Sequence, residues 1–429
     1  MRRFVLAAAA LFATLALVAA PIRAETSTRA APGTLAAVLS DAAPGSVILL
    51  DPGDYGALAA RALGGRPGAP LTLRAADSAR PPRFAVMDLR DARHLILDGL
   101  VFDYRFAPGD PIHLRPFKIV GGTGITLRGL RFEGDDARGR AKGGNGSPTG
   151  FGLALTDVHG VTLESSDISG FFRGLVVERC SDIIVRGNLL HSLRMDGMNF
   201  AQVDRVLIEG NTVRDFRRLV DATDHADMIQ FWTNKTTAPS RDIVIRGNLL
   251  NSGRGAYTQS IFMRNEEVDR GRAGPEMFYR NVLIEGNFVL NAHLHGITVG
   301  ETQGLVIRGN TLVRNPASEG KKHNPSLWTP MIRVSPGAER VVIERNVVAK
   351  IAGYEGQAGW RVTDNLLVQD RSRAEAAHYS RVFVGGDARL PASFAPLPGG
   401  PLDGTGLGAR IVMRGGSNSR ALQTEATRP

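Results

Sequence analysis

The chain has 429 residues and is 43% hydrophobic, which provides enough apolar material for a sizeable core and excludes a largely disordered chain. Glycine accounts for 50 residues and aromatic residues for only 6%, a combination typical of a repetitive β structure with many turns. The single cysteine, Cys180, excludes an intramolecular disulfide framework and a cysteine-based zinc site. The formal net charge of +10 favours an acidic partner.

Residues 1–24 have the pattern of a secretory signal peptide, with Arg2 and Arg3 followed by an apolar run of small residues and leucines. Removing this segment, which also contains Arg23, leaves a net charge of +7, three units below the +10 of the full chain. We therefore expect a periplasmic or extracellular protein whose partner is an anionic polysaccharide and not nucleic acid. No later apolar run approaches the ~20 residues of a membrane span, so no stable membrane insertion is expected, and we expect a monomer.

Four segments follow from the composition along the chain. The signal peptide is succeeded by an N-terminal cap at 25–45, where TLAAVLSDA from Thr34 predicts a short amphipathic helix. A repetitive catalytic domain covers 46–390, and a tail rich in glycine, proline and alanine covers 391–429.

A repeat runs through the central segment. Ten stretches follow the pattern apolar-x-apolar-x-Gly-Asn-x-apolar, as in VLIEGNTV from Val206 and IVIRGNLL from Ile243, and seven of them carry the asparagine. The intervals between the asparagines are 23, 37, 39, 23, 36 and 19 residues, so a period of about 22 is lengthened by insertions. The asparagines are Asn188, Asn211, Asn248, Asn287, Asn310, Asn346 and Asn365.

The repeat predicts an all-β solenoid. Alternation with period two indicates a strand that breaks at Gly-Asn, and further short strands precede and follow it. Three short strands in about 22 residues are typical of a parallel β-helix, here of about 10 to 12 coils with stacked asparagines in one turn. Over roughly residues 45–385 the repeat resembles the right-handed parallel β-helix family of pectate lyases, polygalacturonases and related carbohydrate-active enzymes. That resemblance implies a substrate lying along the strand that precedes the Gly-Asn strand.

The alternation also assigns the two faces of this preceding strand. Its inward positions are all apolar, so the register is well defined. Its outward positions on successive coils are Asn199, Gln230, Trp232, Phe262, Arg264, Thr298 and Arg333.

Two sets of polar residues lie just before these strands, at equivalent positions on successive coils. Aligning four consecutive coils on the first inward residue of this strand gives two columns of equivalent positions. Every residue in both columns has a side chain that can bind a proton or form a hydrogen bond. The columns are Arg194, His225, Tyr257 and His293, and Asp196, Asp227, Gln259 and His295. We predict the reaction centre at His225 and Asp227, in the densest polar segment of the chain.

β-Elimination of a uronate polymer is the reaction that these residues favour. It requires neutralisation of the sugar carboxylate, a base for the C5 proton and an acid for the leaving oxygen. Arg264, Gln230, Asn199 or a Ca²⁺ ion held by Asp196 and Asp227 could neutralise the carboxylate. The candidates for base and acid are His225, Tyr257, His293 and His295. The predicted substrate contacts are Trp232 as a sugar platform, Asn199, Gln230, Arg194, Thr298 and Arg333.

Long insertions at 216–226, 234–242, 265–281 and 315–329 flank the same coils, and insertions on one side of a solenoid usually build its binding face. Basic groups beside aromatic rings suit an acidic sugar chain. The insertions carry Lys235, Arg270, Arg272, Tyr279, Lys321, Lys322, His323 and Trp328.

Three alternatives remain open. The stretch from Leu294 to Gly300 resembles the Gly-His-Gly-Ile-Ser-Ile-Gly motif of polygalacturonases, which implies an inverting hydrolase using Asp196 and Asp227 if their carboxyls are 6.5–9.5 Å apart. The Arg333 segment, however, lacks the lysine of that family. A C5-epimerase would share the proton abstraction of a lyase, and a non-catalytic glycan-binding solenoid would need only the charges and the aromatic residues.

Overall fold

A computed structural model describes residues 27–139, 144–219, 221, 224–321, 324–385, 390–413 and 422–425. The predicted signal peptide at 1–24 lies outside this part of the chain. The described chain is a parallel β-helix, in which successive coils add strands to three parallel sheets. Sheet 3 has eleven strands within the described residues, which agrees with the predicted 10 to 12 coils.

Sheet 1 consists of the strands that precede the repeat strand in each coil, and two long strands continue from it into sheet 2. The strands of sheet 1 are Ala57–Arg61, Val86–Asp98, Phe117–Arg128, Phe151–Thr156, Arg173–Glu178, Met198–Ala201, Ala226–Trp232, Thr258–Met263, His295–Val299, Met331–Val334 and Ile351–Ala352. The outward face of sheet 1 is the predicted binding face.

Sheet 2 contains the repeat strands, and sheet 3 contains the strands after the asparagine turn. Sheet 2 is formed, beside the two long strands, by Ser27–Ala30, Val47–Leu50, Leu71–Ala75, His159–Glu164, Ser181–Arg186, Asp204–Glu209, Arg241–Arg246, Tyr279–Glu285, Thr302–Arg308, Glu339–Glu344 and Arg361–Thr363. Sheet 3 is formed by Arg83–Phe84, Val101–Asp103, Arg131–Glu133, Asp167–Ser169, Leu189–His191, Thr212–Arg214, Leu249–Asn251, Phe288–Asn291, Thr311–Arg314, Val347–Val348 and Leu366–Leu367.

The core lies inside the coils, where the alternating pattern places the apolar side chains. The predicted inward residues of sheet 1 are at most 4% exposed, because each packs against its equivalent one coil above and one below. They are Leu175, Val177, Met198, Phe200, Ile229, Phe231, Ile261, Met263, Ile297, Val299, Ile332 and Val334.

The asparagine ladder forms as predicted. Each Asn side-chain N–H donates to the side-chain oxygen of the asparagine in the next coil at 2.9 or 3.0 Å. That oxygen also accepts the backbone N–H of the preceding asparagine, so one buried amide satisfies two donors. Gly210 and Gly247, directly before two of the asparagines, have φ of +62°, the left-handed conformation that glycine adopts without strain.

Short helices and hairpins complete the fold. The predicted cap helix is Leu35–Ser40, and its Leu35 packs onto the core at the N-terminal end of the solenoid. The remaining short elements are the α-helices Glu266–Asp269 and Tyr379–Val382, the 3-10 helices Pro275–Met277, Pro316–Ser318, Pro325–Trp328 and Pro391–Phe394, and the antiparallel pairs Asp135–Asp136 with Pro148–Thr149 and Arg410–Met413 with Leu422–Glu425. No helix in the described ranges has the length and apolarity needed to cross a bilayer.

A second, smaller core covers the outer face of sheet 3 near the C-terminus. The outward side chains of Phe288 and Val347 pack in one buried cluster with Tyr379, Phe383 and Phe394. The segment that covers sheet 3 thus includes Tyr379 and Phe383 and begins well before residue 391. The predicted start of the tail at residue 391 therefore falls inside this packed segment.

Candidate active site

The outward side chains of sheet 1 form one ladder across the coils. Asn199 pairs in register with Gln230, Gln230 with Phe262, Phe262 with Thr298, and Thr298 with Arg333. The predicted residues on these strands therefore lie on one face, in two groups, one on the coils of Asn199 and Gln230 and one from the coil of Phe262 onward.

The first group, which we call the acid cluster, contains Asp196, Asn199, His225, Asp227 and Gln230. The backbone N–H of Asp227 donates to Asp196 Oδ1 at 3.0 Å, and the side-chain amide of Asn199 donates to Asp196 Oδ2 at 3.0 Å and to Gln230 Oε1 at 2.9 Å. His225 Nε2 lies 3.4 Å from Asp227 Oδ2 and 3.5 Å from Gln230 Nε2. Turns and strand starts on two adjacent coils thus bring these five predicted residues into contact.

The two carboxyl groups of the acid cluster are fully buried, whereas the side chain of His225 is 52% exposed. Burial raises the pKa of Asp196, and it raises the pKa of Asp227 further because the Asp196 carboxylate lies beside it. Neither carboxyl oxygen of Asp227 has a hydrogen-bond partner within the described residues. A protonated Asp227 below an accessible histidine is therefore the favoured state of this pair.

Three arginines surround the acid cluster, and we call them the arginine cluster: Arg173, Arg194 and Arg218. Arg173 Nε lies 3.2 Å from Asp196 Oδ2. Arg194 is buried, binding Asp224 Oδ2 and Ser147 Oγ at 3.1 Å each, so it supports the site from beneath and does not line its surface. The side chain of Arg218 is only 4% exposed.

Aromatic rings lie against these guanidinium groups. Arg173 is 5.6 Å from the centre of the Phe151 ring and 5.8 Å from that of Trp232, while Arg194 is 5.2 Å from that of Phe172. Trp232, the predicted sugar platform, is half-buried and packs with the cluster of Phe151 and Phe172. A basic and aromatic wall thus flanks the acid cluster.

The second group, the histidine pocket, lies on the coils toward the C-terminus. A pocket of about 350 Å³ is lined by Arg264, His295, Thr298 and Arg333, among others. His295 Nδ1 is 2.9 Å from Thr298 Oγ1, and burial together with Arg333 lowers the pKa of His295 to about 4. The His293 ring lies 5.2 Å from the His295 ring. His295 is therefore neutral at neutral pH, two coils or roughly 10 Å from Asp227.

Tyr257 lies between the two groups, under the insertion that precedes the Met331 strand. Its hydroxyl accepts the backbone N–H of Lys321 at 2.8 Å, and its ring meets the buried Trp328 edge-on at 5.4 Å. Tyr279 is fully buried and donates its hydroxyl to the Arg264 carbonyl. The expectation that Trp328 and Tyr279 face a sugar chain is therefore wrong, because both rings pack inward as supports. Lys322 and His323 lie outside the described residues.

The charged side chains on the outward face of sheet 2 differ from those of sheet 1, because they form ion pairs with one another. On this face of sheet 2 arginines pair with acidic residues one coil away, as in Arg186 with Glu164 at 2.9 Å and Arg246 with Glu209 at 2.6 Å. Each such pair cancels its own charge, so this face offers little to a polyanion. The exposed Arg333 and the buried Arg218, by contrast, are on or beside the face of sheet 1.

The predicted calcium site was compared with the side chains that surround it. Ca²⁺ takes six to eight oxygen ligands. No group of three or more His, Cys, Asp or Glu side chains arranged as metal ligands occurs in the described part of the chain. The Asp196 carboxylate is also bound by Asn199 and approached by Arg173. These donors fit a calcium ion poorly, so calcium binding stays a prediction.

Sequence reasoning missed Arg173 and Arg218. Arg173 occupies the position of Asp196 one coil earlier, where the polar column was taken to end. Arg218 lies in the insertion at 216–226, next to Arg217, and no local pattern separates the two. Arg217 is exposed and binds Asp136 at 2.6 and 2.9 Å, whereas Arg218 points into the protein.

Comparisons with known proteins returned structural likenesses only. No protein-family profile and no curated protein sequence matches the chain. Among solved structures, the surface adhesin PfbA of Streptococcus pneumoniae is similar with 10% identity and a TM-score of 0.47, over 79% of this chain and 88% of the adhesin.

Two carbohydrate-active enzymes are also similar. The A-module of the Azotobacter vinelandii mannuronan C-5 epimerase AlgE6 has 14% identity and a TM-score of 0.38, covering 79% of this chain and 94% of that module. The alginate lyase AlyGC of family PL6 has 14% identity and a TM-score of 0.36, covering 94% of this chain and 56% of the lyase. A fold does not by itself imply a function, so the activity depends on the residues of the site.

Proposed function

We propose that this protein is a secreted polysaccharide lyase that cleaves a uronate-containing polysaccharide by β-elimination. The observation that carries the proposal is the accessible His225 ring held 3.4 Å from the buried Asp227, beside a cluster of arginines. An accessible imidazole next to groups that bind an anion is the arrangement that removal of a proton beside a carboxylate requires.

In the proposed reaction the C5 proton moves to His225. The C4–O bond breaks, a C4–C5 double bond forms and the leaving oxygen takes up a proton. Asp227 faces Nε2 of His225, so its carboxyl group holds the ring in place for the proton transfer. Nearby guanidinium and amide N–H groups bind the sugar carboxylate, whose negative charge grows as the proton leaves. Tyr257, on the next coil, is the candidate acid for the leaving oxygen.

A second candidate function is inverting hydrolysis, which one observation favours. Asp196 and Asp227 lie on adjacent coils with raised pKa values, and a glycosidase needs one carboxylic acid and one carboxylate. In that case Asp227 would protonate the leaving oxygen and no double bond would form.

Product analysis separates these reactions. The protein is incubated with a panel of acidic polysaccharides, and both ultraviolet absorbance and reducing ends are followed. A lyase releases unsaturated, ultraviolet-absorbing ends, whereas a hydrolase raises reducing ends without that absorbance. An epimerase changes the uronate composition without cutting the chain, and the absence of all three changes would leave a binding protein.

Two variants locate the centre. We expect His225→Gln to lower kcat by at least a hundredfold, within the usual contribution of a positioned general base. His159→Gln, an exposed histidine on sheet 2, is the matched control and should keep wild-type turnover. A folded His225→Gln variant with wild-type kcat would move the centre toward His293 and His295. Repeating the wild-type assay with a chelator tests the calcium prediction.

A further inference from the structure

Buried polar atoms without hydrogen-bond partners concentrate in one place. Of the fourteen such side-chain atoms in the described residues, eight belong to the acid cluster, the arginine cluster or their direct neighbours. These eight atoms are on Arg173, Asn199, Arg218, Asp224, Asp227 and Gln259. Because an unpaired buried polar group is costly, such a concentration indicates a space that a polar ligand or water completes.

Arg218 is the clearest case. Its side chain is 4% exposed, and neither Nε nor Nη1 has a hydrogen-bond partner within the described residues. The Asp224 carboxylate is 4.0 Å from Nη1, too far for a hydrogen bond, and its other oxygen binds Arg194 at 3.1 Å. Burial lowers the pKa of Arg218, yet a guanidinium stays charged at any physiological pH. A charged guanidinium group is therefore held inside the protein with two of its nitrogens lacking hydrogen-bond partners among the described residues.

The charge balance around Arg218 favours an anion. The arginine cluster brings three guanidinium groups against the carboxyl groups of Asp196, Asp224 and Asp227. Burial and the neighbouring Asp196 raise the pKa of Asp227 and so favour its neutral form. The three guanidinium groups then face at most two carboxylates, those of Asp196 and Asp224, and a ligand carboxylate would offset the excess positive charge.

We propose that Arg218 is the receptor for the carboxylate of the reacting sugar, which accepts hydrogen bonds from its guanidinium group beside Asp227. The inference rests on the proposed function and deepens it, since it names a single hexuronate carboxylate as the group recognised. A carboxylate held there lies next to Asp227, which contacts His225, so the adjacent C5–H is brought toward the base. Guanidinium groups suit this task because their paired N–H donors match the two oxygens of a carboxylate.

Binding of monosaccharides tests the receptor directly. The purified protein is titrated calorimetrically with galacturonate, glucuronate and mannuronate, and with the neutral hexose of each. We expect the wild type to bind at least one hexuronate at least tenfold more tightly than its hexose, and Arg218→Gln to lose this preference. Arg205→Gln, a half-exposed arginine paired with Asp182 on sheet 2, is the control and should keep it.

Thermal unfolding separates a receptor from a structural role. The Arg218→Gln variant loses a buried charge whose Nε and Nη1 have no hydrogen-bond partners in the described residues. Its Tm should therefore be at or above that of the wild type. If this variant does not fold, Arg218→Lys decides the question. It keeps the charge and loses the fork, and we expect at least tenfold weaker hexuronate binding.

The outcomes for the receptor and for the lyase are distinct. The receptor is refuted if the wild type shows no preference for any hexuronate, or if Arg218→Gln keeps the preference or the wild-type kcat/KM on the cleaved polymer. If hexuronate binding depends on Arg218 but no polymer yields unsaturated ends, the receptor stands and the lyase proposal fails.

Discussion

At the scale of single residues, the site is dominated by carboxyl groups that the fold keeps out of water. Asp196 and Asp227 are fully buried on neighbouring coils, and the pKa of each is raised by that burial. A group with a raised folded-state pKa contributes stability that is present at low pH and lost as the pH rises through that value. The acid cluster therefore lowers the stability of the protein at neutral pH, as is common for catalytic groups.

Asp227→Asn should separate stability from activity. The amide has the shape of the carboxyl group without its charge, so we expect Tm near neutral pH to rise by about 2 °C or more. The gain should shrink toward about pH 4, where the unfolded state also holds the proton. Turnover should fall about tenfold or more, because the amide is a poorer partner for the His225 ring than the carboxyl group that holds it in place. Melting curves at both pH values check this, and a lower Tm near neutral pH would contradict it.

His295 gives the opposite dependence on pH. Its pKa is lowered to about 4 by burial and by Arg333, so the unfolded state binds the extra proton first as the pH falls. Stability should therefore drop between about pH 6.5 and about pH 4, by up to about 3 kcal/mol from this group alone. Denaturant unfolding of His295→Gln across this range should show a smaller drop. An equal drop in the variant would assign the acid sensitivity to other groups.

At the scale of the repeated elements, the asparagine ladder ties the coils together at one corner. Asn248 accepts the backbone and side-chain N–H groups of Asn211 at 2.9 and 3.0 Å and donates to Asn287 at 2.9 Å. All three residues are at most 1% exposed, so water cannot replace a lost partner. The ladder is therefore a structural column that stabilises the turn between sheet 2 and sheet 3.

Asn248→Ala should cost about 2–4 kcal/mol of unfolding free energy, since two buried donors lose their acceptor. Asn365→Ala, at the partly exposed end of the ladder, should cost less because water reaches its neighbours. Urea unfolding of both variants measures the difference. Equal costs would show that burial does not set the strength of the ladder.

At the scale of the whole molecule, the C-terminal chain seals an apolar surface that the solenoid leaves open. Phe394 packs 5.3 Å from the Phe383 ring, 5.9 Å from Tyr379 and 5.9 Å from Phe288 on the outer face of sheet 3. This cover lies on sheet 3, away from the binding face of sheet 1. It therefore protects the strands without contributing a residue to the site.

Phe394→Ala should lower the unfolding free energy by about 3 kcal/mol, the usual cost of removing a buried phenyl ring. The control is Leu390→Ala, because Leu390 is 67% exposed and should change stability by less than about 0.5 kcal/mol. Calorimetry gives both values, and turnover should be unchanged below the melting range of each variant. A loss of turnover in a folded Phe394→Ala protein would link the cover to the site.

The sequence by itself determined the coils, their register and the face that carries the polar columns. Strand alternation recurs from coil to coil, with an asparagine turn from Asn188 onward, and each coil contacts only its neighbours. A local pattern therefore specifies the stacking of Asn199 on Gln230 and of Asp196 beside Asp227. The tertiary structure alone decided which side chains of the insertions turn inward. Arg217 and Arg218 are adjacent in the chain, yet one binds Asp136 at the surface and the other is enclosed beside Asp227. Insertions carry no repeat, so their side chains are placed by packing between distant coils, which a periodic pattern does not encode.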